Sequence, residues 1–268
     1  FTVNGRAPEI GELVRLPDHA RTLEKIAATK GEAFYKGELA DAIAADAAAH
    51  NAAMTLEDLE NHACDWVDPI SMSGFGAELH EIPPNGQGLM ALISLGILEQ
   101  CHSRDLTLDS ADSVHLQIEA QRIAYADAER HLADIAHMRT SVDALLDETY
   151  LKERAHSINL RATNPHPTAL GAAPDTVYLT TADASGMMVS MIQSNFRGFG
   201  SGIVVPGTGI SLQNRGSGFV LEDGHPNQVG PGKRPYHTII PGFISRNNQP
   251  FMGFGVMGGH MQAQGHLQ

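Results

Sequence analysis

The chain has 268 residues, 42% of them hydrophobic and 18% charged, with a formal net charge of −13 at pH 7. That length suits one large domain or two small ones, and the balance excludes intrinsic disorder, which needs low hydrophobicity with high charge. The charge is divided: residues 1–175 hold 13 Lys and Arg against 28 Asp and Glu, and residues 176–268 hold 5 against 3. So acidic a chain is not expected to bind nucleic acid, whose phosphates need a basic patch.

The predicted elements run from helices to strands. Pro17 and Asp18 open an amphipathic helix through Ile26 that Gly31 closes. Leu39 to His50 is alanine-rich and reads as a second helix, and Thr55 with Asp58 reads as the N-cap of a third. Gly86 to Gln100 reads as a buried helix; its apolar core, Leu89 to Leu98, is too short to cross a membrane. Ser110 to Leu132 is the longest helical pattern, with Val114, Ile118, Ile123 and Tyr125 recurring near helical spacing. Arg161 to Asp175 carries Pro165, Pro167, Gly171 and Pro174 and reads as an irregular loop. Strands follow. Thr176 to Thr181 and Met187 to Ile192 flank the turn Ala184-Ser185-Gly186. Tyr236 to Ile244 and Pro250 to Val256 flank Arg246-Asn247-Asn248. Helices first and antiparallel strands second predict an α+β fold, or a sheet layered by helices.

Few motifs carry chemistry. The 14 histidines show no i,i+4 pair and no H-E-x-x-H, so no metal site is expected. Gly253 to Gly258 matches G-x-G-x-x-G, but no acidic residue follows at the distance a dinucleotide ribose requires, so no cofactor is expected. No G-x-S-x-G elbow occurs, and Cys64 and Cys101 allow at most one bridge. Arg215, Lys233 and Arg234 leave room for a module that simply binds small anions. Thr176 stands apart because it follows directly on the irregular loop. A threonine hydroxyl is a weak nucleophile unless a base adjoins it, and its own α-amine, with a pKa of about 8, is such a base once the 175–176 bond is cut.

Several short motifs, in order, extend this reading. Glu32 to Gly37 contains Phe34-Tyr35-Lys36-Gly37; Leu56 to Leu59, Pro83-Pro84-Asn85-Gly86-Gln87-Gly88 and Ala124-Tyr125-Ala126-Asp127 follow. Beyond Thr176 come Asp183 to Gly186, Gly198 to Ile203, Lys233-Arg234-Pro235 and Gly258-Gly259. Together they resemble the gamma-glutamyltranspeptidases, a family of N-terminal nucleophile hydrolases, along nearly the whole chain. The resemblance implies a four-layer αββα sandwich, here expected to be incomplete at both ends. It implies self-cleavage between Asp175 and Thr176. Residues 1–175 would be the C-terminal part of the helical large-subunit region, and residues 176–268 the start of the small subunit, each the other's partner. Thr176 would be the nucleophile, Ser194 its hydrogen-bonding hydroxyl, and Gly258 and Gly259 the oxyanion donors.

At the substrate pocket the sequence departs from the family. Gly218 stands where the transferases have an aspartate for the glutamyl ammonium, Arg215 where they have a glutamine, and His237-Thr238 where they have two serines. Phe196 stands at the place of an asparagine, with Asn195 beside it. The family label is gamma-glutamyltransferase or glutathione hydrolase. The pocket, built on Arg215, His237, Thr238, Asn195 and Phe196, favours a glutaryl- or cephalosporin-acylase-like amide hydrolase, and an uncleaved, silent chain is the remaining alternative. The expected ligand is a small amide or gamma-glutamyl compound, with no membrane partner. Because the chain starts at Phe1, an upstream segment is expected to be missing, and the compartment is open between cytoplasm and export.

Overall fold

A computed structural model describes residues 2, 4–101, 103–159 and 176–268, so the expected loop and Asp175 lie outside the described residues. The chain forms two compact units, one of Phe1–Trp66 with Phe199–Gln213 and the other of Val67–Gly198 with Asn214–Gln268.

The first unit is built on helices. α1 (Pro17–Ala28) starts at its proline as predicted, and Gly31 follows it with φ of 94°. The short α2 (Glu32–Tyr35) leads to α3 (Glu38–Ala49), the alanine-rich helix. α4 (Leu56–Glu60) begins with the expected cap, made reciprocal: Thr55 Oγ1 accepts from the Asp58 N–H and the Asp58 carboxylate accepts from the Thr55 N–H. Leu39, Ile43, Val205 and Ile210 are among the residues of its small core.

The second unit holds the larger core. β1 (Ile70–Gly74) and β2 (Ala77–Glu81) form a hairpin that the sequence reading did not anticipate. α5 (Gly88–Gln100) is apolar on all sides and buried along nearly its full length, with Leu92 and Ile97 both 0% exposed. Gly96 lets Leu151 approach, since a Cβ at Gly96 would lie 2.5 Å from that side chain. α6 (Ala111–His131) packs on α5, but not through the predicted stripe. Val114 and Ile118 are exposed, and Leu116, Ala120, Ala124 and Ala128 are buried, because close helix contact selects small side chains. α7 (Val142–Leu145) and α8 (Glu148–His156) complete the helical layer.

β3 (Val177–Ala182) and β4 (Met188–Gln193) form the hairpin expected after Thr176. β5 (Gly242–Arg246) and β6 (Gln249–Phe254) pair with each other and join the first hairpin in one antiparallel sheet of order β1-β2-β5-β6. The strand predicted from Tyr236 therefore starts only at Gly242. Residues 237–240 bond elsewhere: the His237 N–H to the Asn85 carbonyl, the Thr238 carbonyl to the Gln87 side chain, the Ile240 N–H to Gln262. α9 (Gln262–Leu267) ends the chain's order of elements.

Along β6, Phe254 faces His266 of α9, while Gly253 and Gly255 face the β3–β4 hairpin, where a Cβ would lie 3.1 Å from Thr180 and 2.5 Å from Tyr178. The order helix, sheet, sheet is that of the αββα arrangement the resemblance implied. Among the described residues, no helix is long and apolar enough to cross a membrane.

Candidate active site

Thr176 and Ser194 flank the open end of the β3–β4 hairpin. The register ends with Val177 paired to Gln193; Thr176 immediately precedes the one and Ser194 immediately follows the other. The Ser194 hydroxyl accepts from the Phe196 N–H at 2.8 Å, which fixes the oxygen at the strand end. The strand that follows Thr176 also packs on β6. Thr180 meets Gly253 and Tyr178 meets Gly255, so stepping back along β3 means stepping forward along β6, toward Gly258.

Gly258 and Gly259 follow β6 with φ of 150° and 62°, values that residues with a side chain rarely adopt. The carbonyls of this loop are tied down one after another. The Gly258 carbonyl accepts from the Met261 N–H at 3.3 Å, the Gly259 carbonyl from the Gln87 amide at 2.8 Å, and the His260 carbonyl from the Tyr125 hydroxyl. Burial pushes the Tyr125 phenol up to about 12, which keeps it a proton donor.

The predicted pocket residues form one cluster. Arg215 is 5% exposed; its guanidinium donates to the Thr238 hydroxyl at 2.7 Å and lies 4.8 Å from the Phe196 ring centre. Phe196 is buried with φ of 84° and meets the His260 ring edge-on at 6.3 Å. Thr238 is 1% exposed, so its hydroxyl anchors Arg215 rather than lining open space. His237 has its pKa lowered to about 4, first by burial and then by the positive Arg215; its Nδ1 accepts from the Ile239 N–H, which leaves the proton of the neutral ring on Nε2. Asn195 is half-buried, and its carbonyl accepts from the Asn214 N–H at 3.2 Å.

Gly218 cannot be refitted with an acid in place, because its Cβ would lie 2.6 Å from the Tyr236 carbonyl oxygen. Lys233, one of the cations that suggested an anion-binding module, gives its ammonium to the carbonyls of Pro226 and Gln228. Among the described residues, no group of three His, Cys, Asp or Glu is placed to hold a metal ion. A groove of about 590 Å³ beside His80, Phe243, Ser245 and Pro250 is lined by none of the candidate residues.

Sequence reasoning passed over two groups. Gln87 and Tyr236 hold the loop from beneath, and only the order of motifs around Pro83 to Gly88 hinted at the first. Glu81 and His266 form a buried pair at 2.5 Å; their 185-residue separation left no local signal. Burial raises the Glu81 pKa against the opposing pull of His266.

Comparison with known proteins bears on the family and the fold. The gamma-glutamyltranspeptidase sequence profile matches residues 1–268. The oxamate amidohydrolase proenzyme of Klebsiella pneumoniae is 37% identical over 264 residues, covering 98% of this chain and 49% of that protein. The glutathione hydrolase-like YwrD proenzyme of Bacillus subtilis is 35% identical over 264 residues, covering 98% of this chain and 50% of the relative. Among solved structures, the cephalosporin acylase from Bacillus halodurans superposes with a TM-score of 0.91 at 49% identity, over 99% of this chain and 48% of that one. The chain spans about half the length of these relatives. Its profile match, its whole-length likeness to both hydrolases and its fold agree: the chain belongs to the gamma-glutamyltranspeptidase family.

Proposed function

We propose that the protein is an amide hydrolase whose nucleophile is Thr176, released by scission of the Asp175–Thr176 bond into parts 1–175 and 176–268, and whose acyl pocket takes a carboxylate-bearing group without an α-amino group. The observation that supports this is the hairpin register: its last pair is Val177 with Gln193, next to Thr176 and Ser194, on a strand that runs toward the Gly258-Gly259 loop.

In the maturation step the Thr176 hydroxyl attacks the Asp175 carbonyl carbon, and the peptide becomes an ester as the amine leaves. Water then cleaves the ester, giving an Asp175 carboxylate and a free Thr176 α-amine. In turnover the same oxygen attacks the substrate amide carbon while the α-amine takes its proton. The tetrahedral oxyanion is held by the N–H groups of Gly258 and Gly259, each such donor being worth about 3–4 kcal/mol of barrier. The α-amine returns the proton to the leaving amine, the acyl group stays on Thr176, and water releases it.

Selectivity follows from charge. Arg215 already disfavours a proton on His237, and the same field disfavours a substrate ammonium. A carboxylate is drawn to it instead. Gly218 offers no acid to offset this, and its contact with Tyr236 leaves no room for one. The relative named for oxamate acts on a compound with a carboxylate and an amide but no amine, which fits the same chemistry.

The test combines mass measurement with two anilides. Incubated protein yields two pieces, one starting at Thr176, and turns over glutaryl-p-nitroanilide at least about 10-fold better in kcat/KM than the γ-glutamyl compound. Thr176→Ala stays whole and loses more than about 10³-fold in rate. An uncut wild-type chain sinks the nucleophile assignment; a γ-glutamyl preference sinks the pocket assignment.

A further inference from the structure

Within the Gly258-Gly259 loop the second glycine has the less crowded surroundings. A Cβ built on Gly259 would meet nothing within 4 Å, and its φ of 62° lies where side chains are disfavoured. Glycine has more backbone freedom to lose than any other residue, so an oxyanion donor placed on it needs restraint from outside. That restraint comes from Gln87, whose side chain is 0% exposed. Its amide nitrogen donates to the Gly259 carbonyl at 2.8 Å and to the Thr238 carbonyl at 2.7 Å. Its amide oxygen accepts from the Tyr236 hydroxyl at 2.6 Å, which settles which way the amide faces. The Tyr236 oxygen lies 3.2 Å from His260 Nδ1, and the Tyr236 and His260 rings stack at 5.5 Å. The Gln87 backbone is fixed as well, its N–H donating to the His237 carbonyl at 2.9 Å.

We infer that Gln87 is a positioning residue for the oxyanion donors: by gripping the Gly259 carbonyl it fixes the peptide plane on one side of Gly259, while the Met261 N–H fixes the plane on the other through the Gly258 carbonyl. The Gly259 N–H belongs to the second plane, so the two grips together set its direction. Gln87 also donates to the Thr238 carbonyl, a second tie that holds its own amide in place. The inference rests on the assignment of Thr176 as nucleophile.

Gln87→Met keeps the volume and removes the hydrogen bonds, and Tyr236→Phe removes only the hydroxyl that orients the amide. Activity is read with glutaryl-p-nitroanilide and normalised to the cleaved fraction. The expected result for Gln87→Met is a fall in kcat of about 10-fold or more with KM within about twofold, and for Tyr236→Phe a fall of about threefold in the same direction. A boronic acid with a terminal carboxylate gives the second readout. Its boron accepts the Thr176 oxygen lone pair as the hydroxyl proton passes to the α-amine, and the resulting tetrahedral anion places an oxygen at the donors. Its inhibition constant weakens in each variant by the same factor as kcat/KM. A role in stability alone moves neither ratio. An unchanged kcat in Gln87→Met, or a rise in KM with boronate inhibition intact, overturns the inference. Should Gln87→Met fail to fold, Tyr236→Phe decides, and an unchanged kcat there overturns it. Thr176→Ala run alongside separates the two claims: lost turnover there with normal Gln87→Met sinks the positioning role alone, and surviving turnover sinks the nucleophile assignment beneath it.

Discussion

The two compact units are held together differently. The second is organised around α5, an apolar helix with neighbours on every side, and all the candidate site residues belong to it. The first has a smaller apolar cluster, supplemented by single polar ties. Two join α1 to the turn at residues 208–209: the Thr22 hydroxyl donates to the Thr208 carbonyl at 2.8 Å, and His19 Nδ1 lies 3.0 Å from the Gly209 carbonyl oxygen. The difference teaches where precision is placed. Burial is non-directional and supplies rigidity, whereas a donor aimed at one oxygen is directional and needs that rigidity behind it.

The largest expected effect tests whether the second unit's core really supports its site. Glu81 of β2 and His266 of α9 bond inside the core, both side chains 0% exposed. His266→Ala leaves the carboxyl alone in apolar surroundings, and denaturant titration should show a loss of about 3–5 kcal/mol. Glu81→Leu with His266→Phe recovers most of it, because removing both partners leaves no stranded polar group. A small effect of His266→Ala would mean that water reaches the pair, and the contrast between the units would weaken.

A middle-sized effect lies at the pocket. His237 is neutral in the fold, with its pKa lowered to about 4 from 6.5. Between those values the unfolded chain binds the proton and the folded chain does not, so stability rises with pH through this window and falls as pH drops from 6.5 toward 4. The contribution is about 2 kcal/mol after allowance for residual exposure. His237→Gln removes it. The difference between the pH profiles of wild type and variant, measured by thermal unfolding between pH 4 and 7, reads the term directly, and parallel profiles would refute it.

How far the sequence disclosed this arrangement depended on whether the signal was local. α1, α3, α4 and α5 carried their own start residues, alanines or apolar runs, and the β3–β4 hairpin its turn. β1 and β2 were missed because their inward positions include Glu81, an acid at a place where periodicity expects an apolar residue. The stripe on α6 was misplaced because its buried face is largely alanine, a residue neutral to hydrophobic patterning. At the site, the roles expected of Thr176, Ser194 and the paired glycines rest on the family resemblance. Gln87 and Tyr236 act across 149 residues, and such a bond has no trace in local spacing.

The smallest effect belongs to the first unit and isolates a single polar tie. Thr22 is 4% exposed and sits on α1, where valine is nearly isosteric and similarly tolerant of the helix. Thr22→Val keeps the shape but withdraws the donor from the Thr208 carbonyl, whose residue is itself 6% exposed. A lost hydrogen bond of this kind costs about 1 kcal/mol. Hydrogen exchange should therefore quicken by about fivefold in α1 and around Thr208, since 1.4 kcal/mol corresponds to a factor of ten. Turnover of the anilide should not change, because neither residue belongs to the unit that carries Thr176. If kcat fell with the stability of α1, the site would draw on both units, and the assignment of support to the α5 core alone would be wrong.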